Sequence, residues 1–163
     1  MKKLLPSFLT LLLAAWAQTS HPNFTGQWEM NVAKSSFGQF AAPQKVTLAI
    51  THHEPALNVR TTMVVPQGPL QSDANYTTGG ALDVNSDQGT TTRTHSRWEK
   101  DQLVIEGHVF IEKRQAINMR ERWSLADRGQ TFINDRILFL PNGQIVQKLV
   151  YNRVGVVRTA QKK

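Results

Sequence analysis

The clearest hydrophobic pattern in the chain runs over residues 24–32. Apolar residues or glycine hold the alternate positions, which are Phe24, Gly26, Trp28, Met30 and Val32. Polar residues lie between them, and because successive side chains of a strand point to opposite faces, this alternation predicts a strand with one buried and one solvated face. Gly26 precedes Trp28 on the buried face, where a missing side chain lets another group approach closely. We therefore expect a first strand built around a large aromatic anchor.

Two later segments predict hairpins whose register can be derived from their turns. A turn at residues 53–56 joins two alternating arms so that their apolar positions oppose each other. The face they share consists of Val46, Leu48, Ile50, His52, Leu57, Val59, Thr61 and Met63. In the second hairpin a two-residue turn at residues 100–101 places Trp98 opposite Leu103 on an apolar face, while the other face is charged. Each hairpin therefore has one predicted inside.

The last two turns predict where the acidic residues of the late strands lie. If the loop at residues 126–130 spans its hairpin, Glu121 and Asp135 oppose each other. The turn at residues 141–143 suits a type I turn closed by a glycine bulge, and this register puts Asp135 on the same inner face as Tyr151 and Arg153. The predicted inner set includes Trp28, Met30, Ile50, Val59, Met63, Trp98, Ile105, Ile117, Met119, Trp123, Ile133, Ile137, Phe139, Leu149 and Tyr151.

These short alternations recur about every eight to twelve residues, and no segment has a convincing helical period. A meander of hairpins whose alternate positions are apolar most simply closes on itself, because closure removes exposed strand edges. We predict an all-β fold, a single antiparallel up-and-down β-barrel of about eight or nine strands. The barrel domain is expected to span residues 18–157, followed by a basic tail at 158–163.

The N-terminus predicts export. Lys2 and Lys3 precede an apolar run over residues 4–15, and Ala15-Trp16-Ala17 is a small-x-small cleavage site, so residues 1–17 are typical of a signal peptide. The run is too short to span a membrane, and a retained amphipathic anchor is the alternative. We expect a periplasmic or secreted monomer that begins near Gln18.

Composition narrows the possible partners. The 163 residues include no cysteine, which excludes disulfides, thiol nucleophiles and thiolate metal sites. The formal net charge of +7 favours anionic partners such as envelope lipid or acidic polysaccharide. The basic residues are scattered along strands, so no nucleic-acid partner is expected. The arginines expected on the outer face form either a lipid-binding patch or a solvated face, and they are Arg93, Arg97, Arg120, Arg122 and Arg136.

The segment from Asn23 to Trp28 resembles the G-x-W signature that opens lipocalins and related calycin barrels. The resemblance implies that Trp28 closes one barrel end and that an arginine of a late strand, matched here by Arg153, packs over it. The resemblance also places Gly26 at this closed end of the barrel. Residues 34–38 and 149–151 look like those of small secreted bacterial proteins of unassigned function that are described as lipocalin-like.

A barrel of this size either fills its interior or holds one small ligand. For the ligand-binding alternative, the expected lining residues are Tyr76, Trp98, Met119, Glu121, Trp123, Asp135 and Tyr151. If Glu121 and Asp135 are close, one pKa would rise as in an acid–base pair. Alternatively, Arg153 neutralises both carboxylates in a structural network.

Metal and nucleophile chemistry have little support. His52 and His53 are adjacent and point to opposite faces of a strand, while His95 and His108 pair in register with Glu106 and Arg93 rather than with each other. The chain also contains no G-x-S-x-G elbow. We therefore predict an exported binding protein, not an enzyme, that holds a small hydrophobic or amphipathic ligand without metal or cofactor. The alternatives are an envelope interaction protein with a filled barrel, and a barrel enzyme that uses the two carboxylates.

Overall fold

The computed structural model describes residues 21–155, so the predicted leader at 1–17 and tail at 158–163 lie outside the described residues. Ten strands follow one another. They are β1 (Gly26–Met30), β2 (Lys45–His53), β3 (Ala56–Val65), β4 (Gly68–Thr77), β5 (Gly79–Asp87), β6 (Thr90–Glu99), β7 (Gln102–Ile111), β8 (Arg114–Ala126), β9 (Thr131–Leu140) and β10 (Gly143–Val154). Short 3-10 turns occur at Val32–Lys34 and Asp127–Gly129. No helix within residues 21–155 is long and apolar enough to cross a membrane.

The strands form one antiparallel sheet that curls into a nearly closed barrel. Each strand pairs with its neighbour in sequence except β4 with β5, and β1 also pairs with β10. The predicted fold class is confirmed, with ten strands in place of eight or nine. One of them is β5, whose polar sequence lacks a buried alternation and could not be assigned from the pattern.

Side chains span the one interval where the sheet is not continued by backbone pairing. The backbone N–H and the hydroxyl of Thr77 on β4 donate to the two carboxylate oxygens of Asp83 on β5, at 2.7 and 2.8 Å. Further along, the side-chain oxygen of Asn85 accepts from the backbone N–H of Asn75 at 2.7 Å. The side chains of Asp83 and Asn85 on β5 therefore accept hydrogen bonds from backbone N–H groups at the edge of β4 that would otherwise need a paired strand.

The first and last strands, β1 and β10, pair with each other and close one end of the barrel. Trp28 on β1 lies opposite Arg153 on β10, and the guanidinium carbon is 4.2 Å from the centre of the indole ring. Arg153 also donates to the carbonyls of Thr25 and Gly129, both at 2.8 Å. A Cβ at Gly26 would collide with the Arg153 guanidinium, and its φ of +154° disfavours other residues. The structure thus brings Gly26, Trp28 and Arg153 into one cluster.

The predicted register is confirmed in two hairpins and wrong in the late strands. Trp98 lies opposite Leu103, and Val59 lies opposite Ile50, as expected. The β8–β9 loop is one residue shorter than predicted, since Ala126 pairs with Thr131, and the β9–β10 turn has two residues without the expected bulge. When the register of a strand shifts by one residue, every side chain of that strand moves to the opposite face of the sheet. The side chains of Asp135, Ile133, Ile137 and Phe139 therefore lie on the outer face, and those of Phe132, Asn134, Arg136 and Leu138 lie on the inner face.

Candidate functional site

A cavity of about 430 Å³ occupies the half of the barrel away from Trp28. Its walls come from β1–β4 and β8–β10, together with the connection between β1 and β2. Apolar side chains make up most of the lining, which includes Met30, Val46, Leu48, Val59, Met63, Ala74, Leu138 and Leu149. A concave apolar space with a few polar groups is the usual form of a small-molecule site.

Four aromatic rings separate the cavity from the sealed end. Trp123 and Phe132 contact each other edge to face with ring centres 5.1 Å apart, and Phe132 stacks on Tyr151 at 5.3 Å. Tyr76 contacts Trp123 edge to face at 5.8 Å. Below them the ring of Phe24 meets Phe132 at 5.6 Å. Because offset and edge-to-face contacts fill space closely, this layer forms a solid floor.

A charged pair lies on this floor. The Glu121 carboxylate is buried and accepts a hydrogen bond from Nε of Arg136 at 2.6 Å. Its other oxygen accepts from the indole N–H of Trp123 at 2.7 Å and from the side-chain amide of Asn134 at 2.8 Å. Three donors therefore compensate for the burial of this carboxylate, and the pair has no net charge.

The charges shift the pKa values of the neighbouring groups. Burial would lower the pKa of Arg136, but the Glu121 carboxylate outweighs burial and raises it, so the guanidinium stays charged. Burial raises the pKa of Tyr76, and the Glu121 charge adds to the rise. Burial likewise raises the pKa of Tyr151 to about 12, although the positive charge of Arg136 opposes this. Both phenols are therefore neutral hydrogen-bond donors at physiological pH.

The connection between β1 and β2 covers the mouth of the cavity. Ser36 and Lys148 exchange backbone hydrogen bonds at 2.8 and 3.0 Å, and the side-chain amide of Gln147 donates to the Phe37 carbonyl at 3.1 Å. Phe37, Phe40, Ala41 and Pro43 of this segment line the cavity. Phe40 remains 51% exposed, so the cover is partial.

The predicted site residues fall into two groups. Tyr76, Glu121, Trp123 and Tyr151 line the cavity. Trp98 lies instead at the sealed end, where its ring stacks on His21 at 4.3 Å and on Phe24 at 5.9 Å. Met119 and Asp135 do not line the cavity but contribute to two separate depressions. The predicted opposition of Glu121 and Asp135 is wrong, because Glu121 pairs with Arg136, and Asp135 with Arg122.

Three polar residues of the cavity were missed by sequence reasoning. Arg136 was assigned to the outer face by the slipped register, although its side chain lines the cavity. Asn134 and Gln147 interrupt apolar alternations and are both buried. With the correct pairing of β9, these interruptions would have marked the site.

The outer arginines are largely paired with acids. Glu99 accepts from Arg97 at 2.8 Å and lies 3.1 Å from Arg122. Glu106 lies 2.6 Å from Arg97 and 3.0 Å from Arg120. This network interleaves both signs of charge, so it does not form the one-sided field that an anionic surface would require.

His52 near the end of β2 and Glu54 just after it connect side chains at the sealed end. Glu54 accepts from the His52 ring at 3.1 Å, from the Trp98 indole at 2.8 Å and from the Thr78 hydroxyl. The contacts join three neighbouring parts of the barrel end. Within residues 21–155, no group of three or more His, Cys, Asp or Glu side chains is placed to hold a metal ion.

Comparison with known proteins identifies the architecture. No protein-family model and no curated protein sequence matches the chain. Among solved structures, a zebrafish ileal bile acid-binding protein complexed with cholic acid superposes with a TM-score of 0.56 and 11% identity, covering 80% of this chain and 98% of that one.

Two proteins from Ramazzottius varieornatus are similar as well. A secretory abundant heat soluble protein has a TM-score of 0.59 at 12% identity, with 80% of this chain and 94% of that chain covered. Secretory abundant heat soluble protein 4 has a TM-score of 0.57 at 15% identity, with 82% and 96% covered. At such identities the likeness concerns the fold alone, and the chain thus shares the antiparallel β-barrel fold of these proteins.

Proposed function

We propose that the protein is an exported carrier or receptor that holds a small hydrophobic or amphipathic molecule inside its barrel. The cavity above the aromatic floor is the observation that carries this proposal. Its volume of about 430 Å³ lies within the usual range of ligand pockets, and its lining is mostly apolar. A filled barrel would leave no such space, because protein interiors pack at crystal density.

The structural comparison supports the amphipathic part of the proposal. The zebrafish protein of similar fold binds bile acid according to its name, and its structure contains cholic acid. That ligand combines a large apolar body with polar groups. The cavity described here offers the matching combination, an apolar wall and the polar cluster around Glu121 and Arg136.

The N-terminal sequence supports export. The basic start, the apolar run and the small-x-small site at residues 15–17 together are typical of a cleaved leader. In the periplasm or outside the cell, the absence of cysteine means that the barrel is stabilised without disulfides. We propose that the mature protein acts there as a monomer.

Titration with the neutral fluorophore N-phenyl-1-naphthylamine tests the proposal. We expect saturable fluorescence enhancement with the mature wild-type protein. Ala74 lines the cavity, whereas Ala49 lies on the outer face of β2, so Ala74→Trp and Ala49→Trp add the same side chain on opposite faces. Ala74→Trp should weaken binding at least about tenfold, since the indole takes ligand volume, and Ala49→Trp should leave it unchanged.

Equal effects of the two variants, or no enhancement with a folded wild-type protein, would contradict interior binding. Native mass spectrometry of protein purified from its own host then identifies the ligand by its mass. Cell fractionation of the full-length chain tests export separately, and recovery of the uncleaved protein in the cytoplasm would contradict it.

A further inference from the structure

A second depression adjoins the main cavity, at the interval between β4 and β5. Its volume is about 400 Å³, and Ala74 and Tyr76 line both spaces. Its lining is otherwise polar, in contrast to the apolar wall of the main cavity. The polar residues at its inward positions are Ser72, Asn85, Asp87, Thr90 and Thr92. The interior of the barrel therefore continues from an apolar compartment into a polar one.

A row of hydroxyl groups on β6 reaches the depression with one end only. The inward positions of this strand are Thr90, Thr92, Thr94 and Ser96. The hydroxyls of Thr94 and Ser96 lie deep in the barrel and are sealed from solvent. Thr90 and Thr92 are half-buried and line the depression. These two residues are therefore the part of the row that a bound molecule can contact.

Side chains of β5 bridge the interval in regular steps. The first step joins Asp83 to Thr77, and the second joins Asn85 to Asn75. In the second step the Asn85 amide accepts from the backbone N–H of Asn75 at 2.7 Å and donates to its carbonyl at 2.9 Å. A polar group with both a donor and an acceptor thus satisfies the free edge of β4 completely.

The third step of this series is open. Each step moves two residues along both strands, so the next one would join Asp87 to Asp73, but within the described residues the Asp73 carboxylate pairs with Arg60 instead, at 2.8 Å. Residues two apart in an antiparallel strand turn their N–H and C=O groups to the same side. Because those of Asn75 point toward β5, those of Asp73 do so as well, and no strand pairs with β4 there. The depression therefore offers a backbone donor, a backbone acceptor and the exposed carboxylate of Asp87.

This part of the barrel is acidic although the chain as a whole is basic. Residues 61–92 contain three aspartates and no lysine, arginine or histidine, whereas the formal net charge of the chain is +7. No basic side chain lines the depression among residues 21–155. An anionic group placed there would face Asp87 without a compensating cation, so the charge disfavours it.

We infer that the depression binds the uncharged, hydroxyl-rich head group of an amphipath whose apolar tail fills the main cavity, an inference that rests on the proposed binding function. Neighbouring hydroxyls of a sugar-like group donate and accept at the same time. They can donate to the Asp87 carboxylate and the Asp73 carbonyl while they accept from the Asp73 N–H and the Thr92 hydroxyl. An ammonium group has donors only and would leave the Asp73 N–H without an acceptor.

Competition against N-phenyl-1-naphthylamine with three molecules of equal chain length tests this inference. Octyl glucoside carries a sugar, octylamine is cationic at about pH 7, and octyl sulfate is anionic. All three are used below the concentrations at which they form micelles. We expect octyl glucoside to displace the probe at a concentration about tenfold lower than octyl sulfate and about threefold lower than octylamine.

A matched pair of variants assigns the preference to the depression. Thr92→Val removes an inward hydroxyl and keeps the shape of the side chain, whereas Thr91→Val makes the same change on the outer face of β6. We expect Thr92→Val to weaken octyl glucoside about threefold and to leave octyl sulfate unchanged, while Thr91→Val should alter neither. Thermal melting monitors folding of both variants.

A second pair tests the carboxylate and does not depend on the folding of Thr92→Val. Asp87→Ala removes an exposed acid that lines the depression, and Asp101→Ala removes an exposed acid at the opposite end of β6. Asp87→Ala should weaken octyl glucoside about threefold and strengthen octyl sulfate, since an acceptor and a negative charge are lost together. Asp101→Ala should leave both competitors unchanged.

The outcomes separate this inference from the proposed function. Probe binding together with equal competition by the three molecules overturns the head-group inference and leaves the container intact. Stronger competition by octylamine also overturns it and would identify the depression as an ammonium site. A preference for octyl glucoside that survives both Thr92→Val and Asp87→Ala overturns the assignment to the depression. Absence of probe binding by a folded protein overturns both proposals, because the tail then has no cavity to fill.

Discussion

The two ends of this barrel are built by the same strands and have opposite characters. At the sealed end, Phe24 and Trp28 are fully buried, and Arg153 covers the indole. At the other end, the same strands enclose a cavity of about 430 Å³ under a partial cover of residues 37–43. An aromatic layer around Trp123 and Phe132 divides the two halves.

The difference shows how one alternating pattern can supply both stability and a site. Inward positions near the sealed end carry large rings that meet across the barrel axis, whereas those of the other half include small or flexible residues such as Thr61, Met63 and Ala74. We infer that changes in the sealed half act mainly on the free energy of unfolding. Changes in the cavity half should act mainly on ligand affinity.

The largest expected effect is that of Trp28→Ala. The indole is fully buried, and its loss removes packing against Phe132 and the contact with Arg153. We expect the free energy of unfolding, measured by urea denaturation, to fall by about 3 to 5 kcal/mol. Affinity of the remaining folded protein for the fluorophore should change little, because Trp28 does not line the cavity.

Phe139→Ala is the control for this variant. Phe139 lies on the outer face of β9 and is 41% exposed, so its truncation should cost less than about 1 kcal/mol. If Trp28→Ala were no more destabilising than the control, the sealed end would not be the stabilising half of the molecule.

The next effect concerns the charged pair on the cavity floor. Glu121→Leu removes the carboxylate that Arg136 contacts at 2.6 Å and leaves a guanidinium with 33% side-chain exposure unpaired. We expect a loss of about 2 kcal/mol in the free energy of unfolding, less than for a fully buried charge because the cavity admits water. The double variant Glu121→Leu with Arg136→Met should lose less than the sum of the two single variants. Additivity within about 0.5 kcal/mol would contradict an energetically coupled pair.

The sequence allowed the hairpins β2–β3 and β6–β7 to be placed far better than β9, whose predicted inner and outer faces are exchanged in the structure. At residues 100–101 the turn length is evident from the apolar positions on both sides, and the observed register agrees. In the β8–β9 loop, Asp127 and Arg128 adopt positive φ of 50° and 56°, a left-handed backbone that is uncommon for residues other than glycine. With this backbone the loop is one residue shorter than predicted, and no residue type in the loop indicated the shorter length beforehand.

This single slip decides how much of the site could be predicted. Tyr76, Trp123 and Tyr151 were located by alternation alone, because their strands were placed on the correct face. The partner of Glu121 was not, since Asp135 and Arg136 exchange faces when the register moves by one. The cover over the cavity also escaped prediction, because residues 37–43 have no repeating pattern and are held by contacts to β10.

A smaller effect is expected from Phe40→Ala, and it separates binding from stability. Phe40 lines the cavity yet is 51% exposed, so the truncation should change the free energy of unfolding by less than about 1 kcal/mol. Affinity for the fluorophore should fall about three- to tenfold, since a ring that covers the ligand is lost. Phe139→Ala, which is similarly exposed but lies outside the cavity, should keep the affinity of the wild type. An equal loss in both variants would contradict a covering role for residues 37–43.

The smallest effect is a pH dependence confined to the sealed end. Burial raises the pKa of Glu54, but the hydrogen bonds from Thr78, Trp98 and His52 outweigh it and hold the pKa below the ordinary 4.5. A carboxyl group with a lowered pKa stabilises the folded state above its ordinary pKa, and this contribution is lost as the pH falls through the lowered value. Melting temperatures between about pH 6 and about pH 3 should therefore fall less steeply for Glu54→Gln than for the wild type. Glu29→Gln is the control, since it removes an exposed carboxylate 3.0 Å from Lys45, and exposed pairs contribute little. Parallel curves for the wild type and Glu54→Gln would show that the three donors do not stabilise the carboxylate.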